Sequence, residues 1–124
     1  MWTMFRAERP YLESVLTLTA QCIGEDWCLQ CYGGSRPHVG AVSIAQPYVA
    51  DSGKLTASFS CASAYGHKDA ELGNLIAMRV AKRTGKIAAV VCGIHYEGLS
   101  PENIKEIIEI YMELCEEALQ GVIE

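Results

Sequence analysis

Hydrophobic and polar positions along the chain fall into two periods. From Leu12 to Ile23 the alternation is imperfect, with Leu12, Leu16, Leu18, Ala20 and Cys22 on one face. This predicts a first strand, closed by a turn at "GED". Trp27 to Tyr32 reads as a second strand, and the glycine turn at 33–37 leads into a third, "HVGAVSIA". "QPYVADSGK" reads as a connection, because Pro47 does not suit a central strand. The fourth strand is the clearest. Leu55, Ala57, Phe59 and Cys61 alternate with Thr56, Ser58, Ser60 and Ala62, which predicts burial of one face.

The period then becomes helical. Leu72, Leu75, Ile76 and Val80 mark a helix that Gly85 stops after Lys82 and Arg83. Gly73 costs this helix about 1 kcal/mol against alanine, so a close contact at that position is worth looking for. "KIAAVVCGI" is a continuous apolar run, as in a strand covered on both faces. A last helix follows, with Ser100 as N-cap, Pro101 at N1 and Glu102 in the first turn. Its apolar stripe is Ile104, Ile107, Ile108, Tyr111, Cys115 and Leu119. The predicted order is β-β-β-β-α-β-α. It describes an α+β domain with a mostly antiparallel five-stranded sheet and two helices on one face.

At 124 residues the chain is expected to be one domain, with residues 1–10 as a short arm before a domain at 11–124. Half of the residues are hydrophobic, a globular value. The net charge of -5 and the lack of a basic stripe argue against nucleic acid or an anionic membrane as partner. No apolar run reaches a membrane-spanning length, and the first ten residues carry no signal-peptide pattern, so a cytoplasmic location is expected. Six cysteines are then read as reduced, mostly as small hydrophobes. Cys28 and Cys31 form a CxxC spacing, but on a strand they point to opposite faces and no second pair completes a zinc set.

The three histidines each sit at a junction: "GGSRPHVGA", "AYGHKDAE" and "CGIHYEGLS". If the first four strands form a meander, His38 lies at one end of the sheet, at the second turn. The fourth strand ends there too, next to His67. A crossover helix returns the chain, so the fifth strand runs the same way and delivers His95 to the same rim. Both helices start at this rim, with free N–H groups and positive dipole ends. Arg36 and Lys68 add cations, Ser35 a hydroxyl, and Asp69 and Glu97 carboxylates. Gly33, Gly34, Gly40, Gly66 and Gly93 permit close approach of backbone. Such a rim suits an anion, or a metal ion held by His38, His67 and His95. Tyr32, Tyr48, Tyr65 and Tyr96 also fall near these turns, as stacking partners for a flat ligand or as rim packing.

"GGSRPHVGA", "GHKDAELGNLIA" and "GIHYEGLSPENIKEI" resemble the small LpdD-like prenylated-flavin chaperones, the D component of gallate decarboxylase systems. The likeness runs from about Trp27 through the last helix. It implies a non-catalytic protein that binds reduced prenylated FMN and delivers it to a UbiD-type decarboxylase of aromatic acids. The matching positions imply a cofactor site of Gly34, Ser35, Arg36, His38, Gly66, His67, Lys68, His95 and Tyr96. A divalent metal bridging the imidazoles and the phosphate is a physically reasonable addition. One small domain offers little concave surface to cover such a ring, so a homo-oligomer is expected.

Two other chemistries use the same residues. A metal-dependent hydrolase would set the three imidazoles around zinc, with Glu97 or Asp69 as general base. A thiol nucleophile would pair Cys92 with His95, although Cys92 lies in an apolar run that disfavours thiolate. A purely structural role for the histidines stands beside both.

Overall fold

Residues 4–64 and 67–123 are described by a computed structural model, without the side chains of His67, Val122 and Ile123. The strands are β1 (Met4–Tyr11), β2 (Ser14–Ile23), β3 (Asp26–Gly34), β4 (Ala41–Val49), β5 (Leu55–Ser63) and β6 (Ala88–His95). The helices are α1 (His67–Thr84), between β5 and β6, and α2 (Pro101–Ile123), after β6. They form one six-stranded sheet of order β1-β2-β3-β6-β4-β5. The α+β class and the two helices match the sequence reading. The sixth strand is the N-terminal segment: residues expected to form an arm pair with β2 in antiparallel register, from Met4↔Gln21 to Tyr11↔Ser14.

The meander is interrupted. β3 and β4 are not neighbours, because β6 lies between them, parallel to β3 and antiparallel to β4. Directions are still those expected. β5 is antiparallel to β4, so β3, β5 and β6 all run toward one rim and β4 starts from it. β2 also starts at this rim, which brings the β1–β2 turn to it as well.

α1 packs on β4, β5 and β6, and α2 on β1 and β2, both on one face of the sheet. The core between the layers holds Leu16, Leu18, Leu29, Ile76, Val80, Val90, Tyr111 and Leu114, all essentially inaccessible. The Tyr111 hydroxyl donates to the Tyr32 carbonyl at 2.8 Å, which satisfies its one polar atom inside the core. Ser100 caps α2 as expected: its Oγ accepts from the Asn103 N–H at 3.1 Å, and Asn103 Oδ1 accepts from the Ser100 N–H at 3.1 Å. Gly85 ends α1 at φ 70° with its N–H on the Ala81 carbonyl, 2.9 Å away. Gly73 has the close contact its place in the helix called for. A Cβ there would come 2.9 Å from Ser43 Oγ, so the missing side chain lets α1 settle on β4.

Four expectations are corrected. β4 runs on through Pro47 to Val49, because beyond Ala45 it pairs only with β5, so the proline faces no β6 neighbour on that side. β5 is an edge strand, and α1 does not reach across it: Phe59 and Cys61 lie on the helix-facing side yet are exposed. Leu75 points away from the core at 44% exposure, since α1 buries Leu72, Ile76 and Val80 instead. β6 is covered by helices on one face only; Ala89 and Val91 on its other face are half-buried. That face of the sheet also exposes Val42, Ile44 and Tyr48.

The orientation of α1 is testable by paired truncations. Ile76→Ala should lower unfolding free energy by about 2–5 kcal/mol, and Leu75→Ala by less than about 1 kcal/mol, in urea titrations followed by circular dichroism. Equal losses would mean that the helix is rotated from the position described.

Candidate functional site

The insertion of β6 sets the geometry of the rim. A chain leaving β3 must cross the end of β6 to reach β4, and residues 35–40 do so. Three backbone hydrogen bonds fix the crossing to β6: Ser35 N–H to the His95 carbonyl at 2.8 Å, His38 N–H to the Gly93 carbonyl at 3.4 Å, and Gly40 N–H to the Cys92 carbonyl at 2.9 Å. Glycines make the contact possible. A Cβ on Gly93 would lie 1.5 Å from the His38 carbonyl oxygen, and one on Gly34, whose φ is 90°, would lie 2.0 Å from that of His95.

This crossing places the His38 ring beside that of His95, with centroids 6.4 Å apart and planes at 72°. Asp69, buried in the first turn of α1, holds the His38 ring and ties it to β6. Its Oδ2 lies 3.1 Å from His38 Nε2, and its Oδ1 accepts the Ile94 N–H at 3.0 Å. A Cβ on Gly40 would sit 2.0 Å from Asp69 Oδ2, so the glycine vacates the space the carboxylate needs. His38 Nδ1 lies 3.1 Å from the Arg36 carbonyl oxygen. Each ring nitrogen of His38 therefore faces an oxygen. His95 Nε2 lies 3.3 Å from Glu97 Oε1, an almost fully exposed carboxylate.

Of the residues singled out in the sequence, Gly34, Ser35, Arg36, His38, Lys68, His95 and Tyr96 all fall on this rim. Arg36 and Lys68 are exposed there. His67 is the first residue of α1 by its backbone; its side chain, and all of Tyr65 and Gly66, lie outside the described residues. Tyr96 is tied down rather than free to turn. Its hydroxyl donates to the Tyr11 carbonyl at 2.9 Å, and its ring meets that of Tyr11 edge-on at 5.9 Å. Burial raises its phenol pKa above the ordinary value. Tyr48 is corrected: it lies near the far end of β4, away from the rim.

Sequence reasoning missed the β1–β2 turn. Leu12 has φ 54°, rare for a residue with a side chain, and is largely exposed. With Glu13, Ser14, Gly34, Ser35, Tyr96 and Glu97 it borders an open concavity of about 630 Å³ at the rim. No Gly or Asn marks the turn, and Pro10 reads as a boundary, so the sequence signal was weak. The Ser14 hydroxyl donates to the Gly34 carbonyl at 2.7 Å and joins this turn to the crossing segment.

The rival chemistries find less here. Of the two carboxylates read as general bases, Asp69 has both oxygens engaged, and Glu97 is almost fully exposed beside His95. Among the described residues no group of three or more His, Cys, Asp or Glu is placed to hold a metal ion. Cys92 is fully buried, and desolvation pushes its thiol far above the ordinary range, as it does for Cys31. Cys28 is half-buried and Cys31 lies in the core, on opposite faces of β3 as the CxxC spacing on a strand requires.

The profile of the prenylated flavin chaperone LpdD-like domain matches residues 12–122. The chain belongs to this LpdD-like family. The match takes in β2 through α2 and therefore every rim element, including the turn at Leu12. No curated protein matches the chain. Among solved structures it is similar to a chain in the crystal structure of a chaperone complex for yeast 20S proteasome assembly. The TM-score is 0.61 at 11% identity, over 97% of this chain and 98% of that one. At that identity the likeness shows the fold.

Two measurements check this geometry. Gly93→Ala should cost more than about 1–3 kcal/mol, the usual range for forced overpacking, because the Cβ meets backbone, and should speed hydrogen exchange at the Ser35, His38 and Gly40 amides; unchanged exchange would contradict the crossing. Alkylation of the native protein at pH 8 should modify Cys61 first. Cys31, Cys92 and Cys115 should stay unmodified until denaturant is added, since desolvation raises all three thiols, Cys115 to about 12.

Proposed function

We propose that this chain is a carrier that binds reduced prenylated FMN at the rim and hands it to a UbiD-type decarboxylase. The observation that carries the reading is the crossing of residues 35–40 over β6, which sets His38 6.4 Å from His95 beside an open concavity. Family membership names the ligand class, and the residues present fit it. Arg36, Lys68 and the N-termini of α1 and α2 provide positive potential for a phosphate in a chain of net charge -5. Gly34, Gly40 and Gly93 admit the close contacts that hold the rim together, with the His95 carbonyl, the Asp69 carboxylate and the His38 carbonyl. Tyr96 and Leu12 offer apolar surface at the edge of the concavity.

The bound flavin supplies its decarboxylation chemistry in the partner enzyme. Here the residues bind, orient and release. His38, held by Asp69, and His95 border the phosphate end of the site. Lys68, in the first turn of α1, completes it. Both ring nitrogens of His38 face protein oxygens, so a phosphate on His38, or a divalent ion bridging the two, would have to displace Asp69 or the Arg36 carbonyl. An open rim of this kind favours transfer over permanent retention.

We place the protein in the cytoplasm, where its six free cysteines stay reduced. None of the described helices is long and apolar enough to cross a membrane. The uncovered sheet face, with Val42, Ile44 and Tyr48 exposed, is where we put the contact in a homo-oligomer.

Anaerobic titration of reduced prenylated FMN, with and without EDTA, tests the reading. Saturable binding that survives EDTA is expected. Lys68→Ala and His38→Ala should each weaken it about tenfold, the loss of one charge-assisted hydrogen bond, while Leu75→Ala leaves it unchanged. Absence of saturable binding, or equal affinity in all variants, would overturn the proposal.

A further inference from the structure

A second, smaller cavity opens on the other side of the His95 segment, between the first turns of α1 and α2. Its volume is about 40 Å³. Leu72 and Ile107 close its buried end, and Ile94, Leu99, Ile104 and Ile108, all half-buried, form its walls. Lys68 and Asp69 are the polar residues bordering it. Six aliphatic side chains around one crevice leave little else for it to receive than an apolar group. The crevice is also continuous with the rim site: Asp69 holds His38, and Ile94 precedes His95 and donates its N–H to Asp69.

We infer that this crevice is a subsite for the branched, prenyl-derived carbons of the flavin, and that it lets the chain distinguish a prenylated from a plain flavin mononucleotide. The inference rests on the carrier reading above. Size supports it. Roughly 10–15 Å³ holds one water-sized centre, so the cavity accepts about three, the number in a carbon bearing two methyl groups. A whole flavin ring does not fit, and a plain flavin has no branched aliphatic group to offer. The larger concavity beside Leu12 suits the ring and its uncharged polar edge instead, since Leu12, Tyr96, Ser14 and Ser35 border it, while the carboxylates of Glu13 and Glu97 keep the phosphate at the cationic part of the rim. Lys68 borders the crevice and is exposed at the rim, so one element faces both parts of the site.

Binding and methyl NMR test the inference without any decarboxylase. Under anaerobic conditions the wild-type chain should bind reduced prenylated FMN at least about tenfold more tightly than reduced FMN, the equivalent of two buried methylene-sized groups. Ile104→Ala and Leu99→Ala, at half-exposed positions, should keep the affinity for FMN and lose most of this preference. In a chain labelled at isoleucine methyls, prenylated FMN should shift Ile94, Ile104 and Ile108, and plain FMN should leave them in place. Equal wild-type affinities, or a preference that survives both substitutions, would overturn the inference while the carrier reading stands. Failure of both flavins to bind overturns the two together.

Discussion

The rim depends on one close contact, that of the residue-38 backbone with Gly93. Because β6 is inserted between β3 and β4, the connection between those strands has to pass over its end. It passes so closely that the smallest side chain at residue 93 would overlap the His38 carbonyl, at 1.5 Å. The crossing brings two residues distant in sequence into one site. It also requires glycine at Gly34, against the His95 carbonyl, and at Gly40, against the Asp69 carboxylate of α1. A segment that resembles an ordinary glycine turn is thus a bridge, held by hydrogen bonds from both of its ends to a strand it does not directly adjoin in sequence.

Asp69 extends the same logic to the helix layer. It sits in the first turn of α1, where an acidic side chain is favoured by the dipole, and it spends one oxygen on β6 and the other on His38. The helix, the central strand and the bridge are thereby locked at a single carboxylate. Gly73, further along α1, allows the helix to lie close against Ser43 of β4. Core packing and site geometry are therefore one problem in this domain, and a change at either should be felt at the other.

Much of this was legible in the sequence, and the failures have physical causes. Strand directions follow from the parity of turns, so the gathering of His38, His95 and the start of α1 at one rim could be read without knowing which strands pair. The insertion of β6 could not, because apolar alternation reports burial and carries no information on neighbours. Phe59 and Cys61 alternate like core residues, yet an edge strand beyond the helix leaves them exposed. Leu75 fits a helical stripe as well as Ile76 does, and only packing against β4 and β6 decides between them. The β1–β2 turn was hidden because Leu12 adopts a conformation that sequence statistics assign to glycine or asparagine. The role of Asp69 as the partner of His38 was equally out of reach, since the two are joined only through the crossing.

The central claim is that the bridge over β6 gathers one phosphate-binding rim. Ring-nitrogen NMR of a chain labelled with 15N-histidine, titrated with reduced prenylated FMN, addresses it most directly. The account predicts that the His38 and His95 imidazole resonances move together, saturating at the same ligand concentration, while backbone signals of Val42, Ile44 and Tyr48 on the open sheet face stay fixed. Movement of the open-face signals with both imidazoles unchanged would contradict it.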